Sequence, residues 1–179
     1  MISNPVRPDE WVLFEGLKPC RMLELGNKVN SRSGISYKRF FESLGYDHTS
    51  IDWNGLDGAL KLDLQTPIDL EPFDVITNIG TTEHVKEQFG VWANIHNLLK
   101  VDGVLISVTP KADGKNWKRH GFWYPKHEFF NEFARLNGYE VLELYDNKHP
   151  PTSNTYVKLR KVKSLDFTLP EMTTFYKNQ

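Results

Sequence analysis

Residues Leu23–Asn30 read LELGNKVN. An apolar run ends in a glycine, and lysine and asparagine follow where a phosphate-cradling turn would carry more glycines. Extended backwards, RMLELG (21–26) reads as a buried strand. Downstream, SYKRFFESLG (36–45) has helical spacing, with Phe40, Phe41 and Leu44 inward and Gly45 as its stop. HTSID (48–52) is then a second strand reached by a crossover, and strand, loop, helix and strand in this order point to a parallel sheet.

The alternation continues. FDVITNI (73–79) is a third strand ending at Gly80, and a helix starting near Thr82, a good N-cap, carries Trp92, Ile95, Leu98 and Leu99 on one face. Asp102-Gly103 stops that helix before a fourth strand, VLISVTP (104–110). HEFFNEFARLNG (127–138) is a further helix, and YEVLELY (139–145) and NTYVKLRKV (154–162) are strands. The expected fold is α/β: a Rossmann-like, doubly wound, mostly parallel sheet with an antiparallel strand near the C-terminus. Phe40, Phe41, Trp92, Phe129, Phe130 and Phe133 have core spacing. The length of 179 residues suits one domain, with a core at about 21–162, an N-terminal extension (1–20) and a C-terminal stretch (163–179) that is either a tail or an edge element.

Composition narrows the setting. With 22 basic against 23 acidic residues, the chain is not a globally basic nucleic-acid binder. The single cysteine, Cys20, excludes an internal disulfide framework and fits a reducing, cytoplasmic compartment. The N-terminus has no apolar signal region, and no run approaches the length of a membrane helix. A soluble protein is expected; nothing here speaks to its oligomeric state.

Ligands of open parallel sheets sit beyond the carboxyl ends of the strands. Glu24 and Gly26 end the first strand and Asp52 the second, where a carboxylate is placed to accept hydrogen bonds from ribose hydroxyls. The bland alternative for Asp52 is a cap on the DWNG turn. A dinucleotide needs backbone turns against a pyrophosphate, and the positions of the missing glycines argue against NAD. S-adenosylmethionine has no phosphate: one close backbone approach, at Gly26, and donors for its carboxylate, from backbone N–H groups or Lys28, would serve.

Five stretches in order, LELG, SIDWNG, LDL, FDVITNIGTTEHV and LLKVDGVLISVTP, resemble the class I S-adenosylmethionine-dependent methyltransferases, in particular the small-molecule branch with a minimal Rossmann-like domain. The resemblance runs from about 21 to about 145. It implies that Glu24, Leu25 and Gly26 line the methionine end of the cofactor, that Asp52 binds the ribose, and that Trp53 lies against the adenine. It further implies that Asp63 binds the adenine amino group, that the Leu64 N–H meets the ring, and that Asn78, Ile79 and Gly80 form the floor beneath the sulfonium. The departure from the family is the incomplete glycine loop.

His84, just past the third strand, is the first candidate general base, and His120, in the long loop 111–126, is its rival; the bland reading of His84 is a packed or capping histidine. That loop interleaves Lys111, Lys115, Lys118, Arg119 and Lys126 with Trp117, Phe122, Trp123 and Tyr124. Such a mixture suits a nucleic-acid strand, or a lid over an anionic or sugar-like acceptor; the bland reading is that the aromatics cover the sheet edge while the lysines stay solvated. The lid is preferred because the loop leaves a strand beside the cofactor site, which makes Trp117, Arg119, Trp123 and Tyr124 the expected acceptor contacts. The histidines and the cysteine show no zinc-ligand spacing, so no metal is expected. The expected activity is methyl transfer to an oxygen or nitrogen of a small acceptor. A degenerate domain serving as a cofactor-binding or interaction module is the alternative, and an NAD-dependent oxidoreductase is disfavoured.

Overall fold

In the computed structural model, which describes residues 2–111, 120–147 and 153–177, the chain runs α1 (Pro8–Trp11), β1 (Arg21–Leu25), α2 (Tyr37–Ser43), β2 (Asp47–Ile51), β3 (Phe73–Ile79), α3 (Gln88–Leu98), β4 (Leu99–Pro110), β5 (Trp123–Pro125), α4 (His127–Asn137), β6 (Tyr139–Asp146), β7 (Asn154–Lys161) and β8 (Phe175–Lys177). Six strands form one sheet in the order β2-β1-β3-β4-β7-β6. The first four are mutually parallel, and β7 runs antiparallel to both neighbours. This is the expected Rossmann-like sheet with its antiparallel strand near the C-terminus.

Side chains alternate across each strand, and the alternation sorts the core into two layers. Leu23, Ile76, Leu105 and Leu159 face one layer, with Trp92 and Ile95 of α3 and Phe129, Phe130 and Phe133 of α4. Met22, Val75, Ile106 and Tyr156 face the other, with Phe40 and Phe41 of α2 and Leu13 and Phe14 after α1. Helices therefore cover both faces, and each fully buried phenylalanine contributes about 1.5–3 kcal/mol. The N-terminal segment is no loose extension, since Val6, Leu13 and Phe14 are buried.

Several local expectations are corrected. Leu44 is exposed, because the helix ends at Ser43 and Gly45 turns the chain with φ +91°. Thr82 does not cap α3: it begins a short 3-10 turn (Thr82–His84), and α3 starts only at Gln88. Asp102-Gly103 does not end α3 either. The helix stops at Leu98, and the two residues lie in a bulge where Leu99 pairs with Phe73 and Val104 with Val75, with Asp102 at φ +64°. The C-terminal stretch, left open between tail and edge, is neither: its last strand forms a separate two-stranded sheet that packs on the core. β8 pairs antiparallel with β5, the Asn137 side chain bonds the backbone of Thr168 in both directions, and Phe175 packs on Phe129 at 4.3 Å between ring centroids.

Candidate functional site

The strand order reverses between β1 and β3, and the crevice at that switch point is where an open α/β sheet binds ligands. Two glycines shape it. Gly26 sits at φ +86°, and a Cβ there would fall 2.6 Å from Thr81 Oγ1, the hydroxyl that donates to the Leu25 carbonyl at 2.7 Å. Gly80, at φ +72°, ends β3, and a Cβ there would lie 3.6 Å from Lys28 Nζ. The β1 and β3 turns thus press on one another directly, as only a glycine at 26 allows.

The loop after Gly26 is organised by side chains in place of further glycines. Asn27 N–H donates to Asp52 Oδ2 (2.9 Å) and Lys28 N–H to Glu24 Oε1 (2.9 Å). Asn30 Oδ1 accepts from the N–H groups of Arg32 and Ser33, while its amide donates to the Pro5 carbonyl. Glu24 is buried beneath this loop, 3.4 Å from the equally buried His48. Desolvation drives both toward neutrality, raising the Glu24 carboxyl to about 8 and lowering the His48 imidazole to about 4.

Two cavities open at the carboxyl ends of the strands. The first, about 460 Å³, is lined by Gly26, Asp52, Trp53, Asp63, Leu64, Gly80, Thr81 and His84, with Ile51, Leu62 and Val85 among its apolar walls. Asp52 accepts from Asn27 N–H at one oxygen and Asn54 N–H at the other, which fixes the carboxylate and leaves lone pairs free. Trp53 stands at the mouth, 71% exposed. The wall at 62–66 is held by α3. Gly90 lets the helix meet the Gln65 backbone, where a Cβ would fall 2.2 Å from the carbonyl oxygen, and Asn94 donates to the carbonyls of Leu64 and Thr66. Gly90 and Asn94 carry no signal in one sequence, because they act on a segment some 25 to 30 residues away.

The second cavity, about 400 Å³, shares Gly80 and His84 with the first and is bordered by Lys28, Ile79, Glu83, His120 and Asn154, and by Arg7, Glu10 and Tyr37. Its polar groups are unusually deep. Glu10, 2% exposed, pairs with Arg7 at 2.8 Å and accepts from the Tyr37 hydroxyl at 2.7 Å. Arg7 also donates to the Tyr156 hydroxyl at 3.0 Å. Glu83 is 1% exposed, and neither carboxyl oxygen has a hydrogen-bond partner. Burial pushes it up to about 7, against the opposing charge of Lys28. The Nε2 atoms of His84 and His120 lie 3.9 and 3.8 Å from Glu83 Oε1. Burial and the Lys28 charge lower both imidazoles, and His84 is also lowered by His120.

The expected site residues divide accordingly. Gly26, Asp52, Trp53, Asp63 and Leu64 line the first cavity, Lys28, Ile79 and His120 the second, and Gly80 and His84 both. Glu24, Leu25 and Asn78 line neither and act as supports. Asn78 is fully buried, its side chain accepting from Thr82 N–H and donating to the hydroxyls of Thr82 and Ser107. One expected acceptor contact is corrected: Tyr124 is fully buried, its hydroxyl accepting from Gly121 N–H. Trp123 is half-buried, donates its indole N–H to the Lys86 carbonyl and lines neither cavity. Trp117 and Arg119 lie outside the described residues. Arg7, Glu10, Tyr37 and Glu83 were not foreseen: only the fold brings Arg7 and Glu10 to this end of the sheet, and only packing buries Tyr37 and Glu83 against it.

No family model and no curated protein matches the sequence. Solved structures do resemble the fold. The 1,6-didemethyltoxoflavin N1-methyltransferase of Burkholderia thailandensis, crystallised with 1,6-didemethyltoxoflavin and S-adenosylhomocysteine, superposes with a TM-score of 0.66 at 17% identity, over 88% of this chain and 78% of that one. The N-methyltransferase NodS of Bradyrhizobium japonicum, in complex with S-adenosylhomocysteine, gives 0.63 at 14% identity, over 87% and 85%. The [4+2]-cyclase SpnF gives 0.60 at 15%, over 85% and 79%. The chain has the Rossmann-like fold these proteins share, a fold that carries more than one chemistry.

Proposed function

We propose that the chain transfers a methyl group from S-adenosylmethionine to an oxygen or nitrogen of a small polar acceptor. The observation that carries this reading is the wall at Gly80 and His84, common to two cavities of different character. In this reading the first holds the adenosine, with Asp52 on the ribose, Trp53 against the adenine and Asp63 with the Leu64 N–H at its edge. The methyl group then points past Gly80 into the second, where the acceptor lies. The S-adenosylhomocysteine bound in structures of the same fold supports this choice of cofactor.

The chemistry asks little of the protein. A sulfonium already makes its methyl carbon electrophilic, so in-line displacement by the acceptor needs alignment, exclusion of water and removal of one proton. Alignment comes from the shared wall. Arg7 and Lys28 suit an acceptor with anionic or hydroxyl oxygens, and proton removal falls to the group of Glu83, His84 and His120.

Calorimetric titration tests the reading: S-adenosylhomocysteine should bind one to one, and NAD should give no heat. Absence of binding by S-adenosylhomocysteine would sink it. Binding without turnover on broad panels of hydroxyl and amine acceptors would favour a cofactor-binding module.

A further inference from the structure

We infer that Glu83, His84 and His120 form a site for one first-row divalent metal ion at the base of the second cavity, with its open coordination positions facing the acceptor. One carboxylate oxygen and two imidazole nitrogens, one from each residue, lie within 4.8 Å of one another. Tetrahedral ligands at about 2.0–2.1 Å from a metal are about 3.4 Å apart. The 3.9 and 3.8 Å separations from Glu83 Oε1 need contraction by only a few tenths of an ångström, and the two imidazole nitrogens, within 4.8 Å of each other, close by rotation of the two half-exposed rings.

The turn is built for this carboxylate. Its start is fixed by Asn78, which grips both the N–H and the hydroxyl of Thr82. Gln88 donates to the Thr82 carbonyl at 2.9 Å, and Phe122 N–H donates to the Glu83 carbonyl at 2.7 Å. Gly121 allows that close approach, since a Cβ there would fall 2.6 Å from the same carbonyl oxygen. The backbone is held on both sides while no other residue hydrogen-bonds the carboxyl group, and a buried carboxylate without such a partner is strongly unfavourable. Among the described residues no lysine or arginine forms an ion pair with it; Lys28 faces the same cavity without reaching that distance.

Two imidazoles and one carboxylate favour Mn²⁺ to Zn²⁺ over Mg²⁺ or Ca²⁺, and three protein ligands leave positions for a substrate oxygen. A hydroxyl bound there would lose its proton to water more readily, so with the metal bound the three side chains serve the proton removal as ligands and not as bases. That last step rests on the methyl-transfer reading; metal binding does not.

The test is titration of untagged, chelator-treated protein with Co²⁺, followed by its visible d–d absorption, with S-adenosylhomocysteine affinity measured separately on the metal-free protein. One equivalent should bind and resist displacement by excess Mg²⁺. Glu83→Gln, His84→Ala and His120→Ala should each weaken binding at least tenfold, while His127→Ala, at a separate pair with Asp146, should not. No saturable binding, or equal binding by the three variants, overturns the site. S-adenosylhomocysteine binding without Co²⁺ binding would remove the metal and leave the methyl-transfer reading standing; the reverse result would do the opposite.

Discussion

The two cavities share a wall and are built by opposite means. The first is made of backbone: turns after β1, β2 and β3 brought together by glycine at 26 and 80, with carboxylates only at its margins. The second is made of buried polar side chains from the N-terminal segment, the Thr82–His84 turn and the start of β7. A backbone-built site is fixed by the sheet and is insensitive to most side-chain changes. A site built from buried charges depends on every partner being present, because each is costly to leave unpaired.

The largest expected effect tests that dependence. Glu10→Ala removes the buried partner of Arg7, leaving it with the half-exposed Asp9, and leaves the Tyr37 hydroxyl without its acceptor; it should cost about 3 kcal/mol in urea unfolding, with little change in S-adenosylhomocysteine affinity. Equal losses in both measurements would show that the cavities are one mechanical unit. Asp52→Ala should do the reverse: affinity falls by about 2–3 kcal/mol, the worth of hydrogen bonds to a charged group, while Co²⁺ binding is unchanged.

Third in size is a pH effect beneath the first cavity. Glu24 is raised from 4.5 to about 8, so its neutral form is favoured on folding; its contribution is complete below about 4.5 and is lost as pH rises to about 8. His48, lowered from 6.5 to about 4, acts in the opposite sense, with stability lost as pH falls from about 6.5 to about 4. Above pH 6.5 only Glu24 of the pair titrates. Glu24→Gln should therefore gain about 2 kcal/mol relative to the wild type between about pH 6.5 and 8, at about 1.4 kcal/mol per unit; parallel pH curves would reject a neutral Glu24. The smallest effect is at the cavity mouth. Trp53→Ala should weaken S-adenosylhomocysteine by about 1 kcal/mol and leave the unfolding midpoint where it was.

The same contrast explains what could be read from the chain. Strands β1 to β4 and the residues at their ends were legible because short continuous apolar runs and strand-end glycines and carboxylates are local signals. Thr82 misled because a threonine before an apolar run reads as a cap, whereas its hydroxyl is taken by Asn78 inside the core. Leu44 misled because helical period was extended one residue past the point where Gly45 bends the chain. Glu10 and Glu83 gave no signal: a glutamate in a first turn looks solvated, and only packing with Tyr37, Arg7 or Phe122 makes it otherwise. Tyr124 was assigned to the acceptor for its composition, and the β5–β8 pairing that buries it joins segments about 50 residues apart.

The direction of β7 has a use in engineering. Because it runs against β4, its first residue lies beside the last of β4, with Asn154 opposite Pro110, and both border the second cavity. The connection from β6 to β7 therefore finishes at the border of that cavity, whereas Asp52 and Trp53 line only the other one. Lengthening a connection costs little closure entropy, so a library varied in length and sequence between Asn147 and Asn154 would alter the second cavity at its Asn154 border while leaving the residues that line the first unchanged.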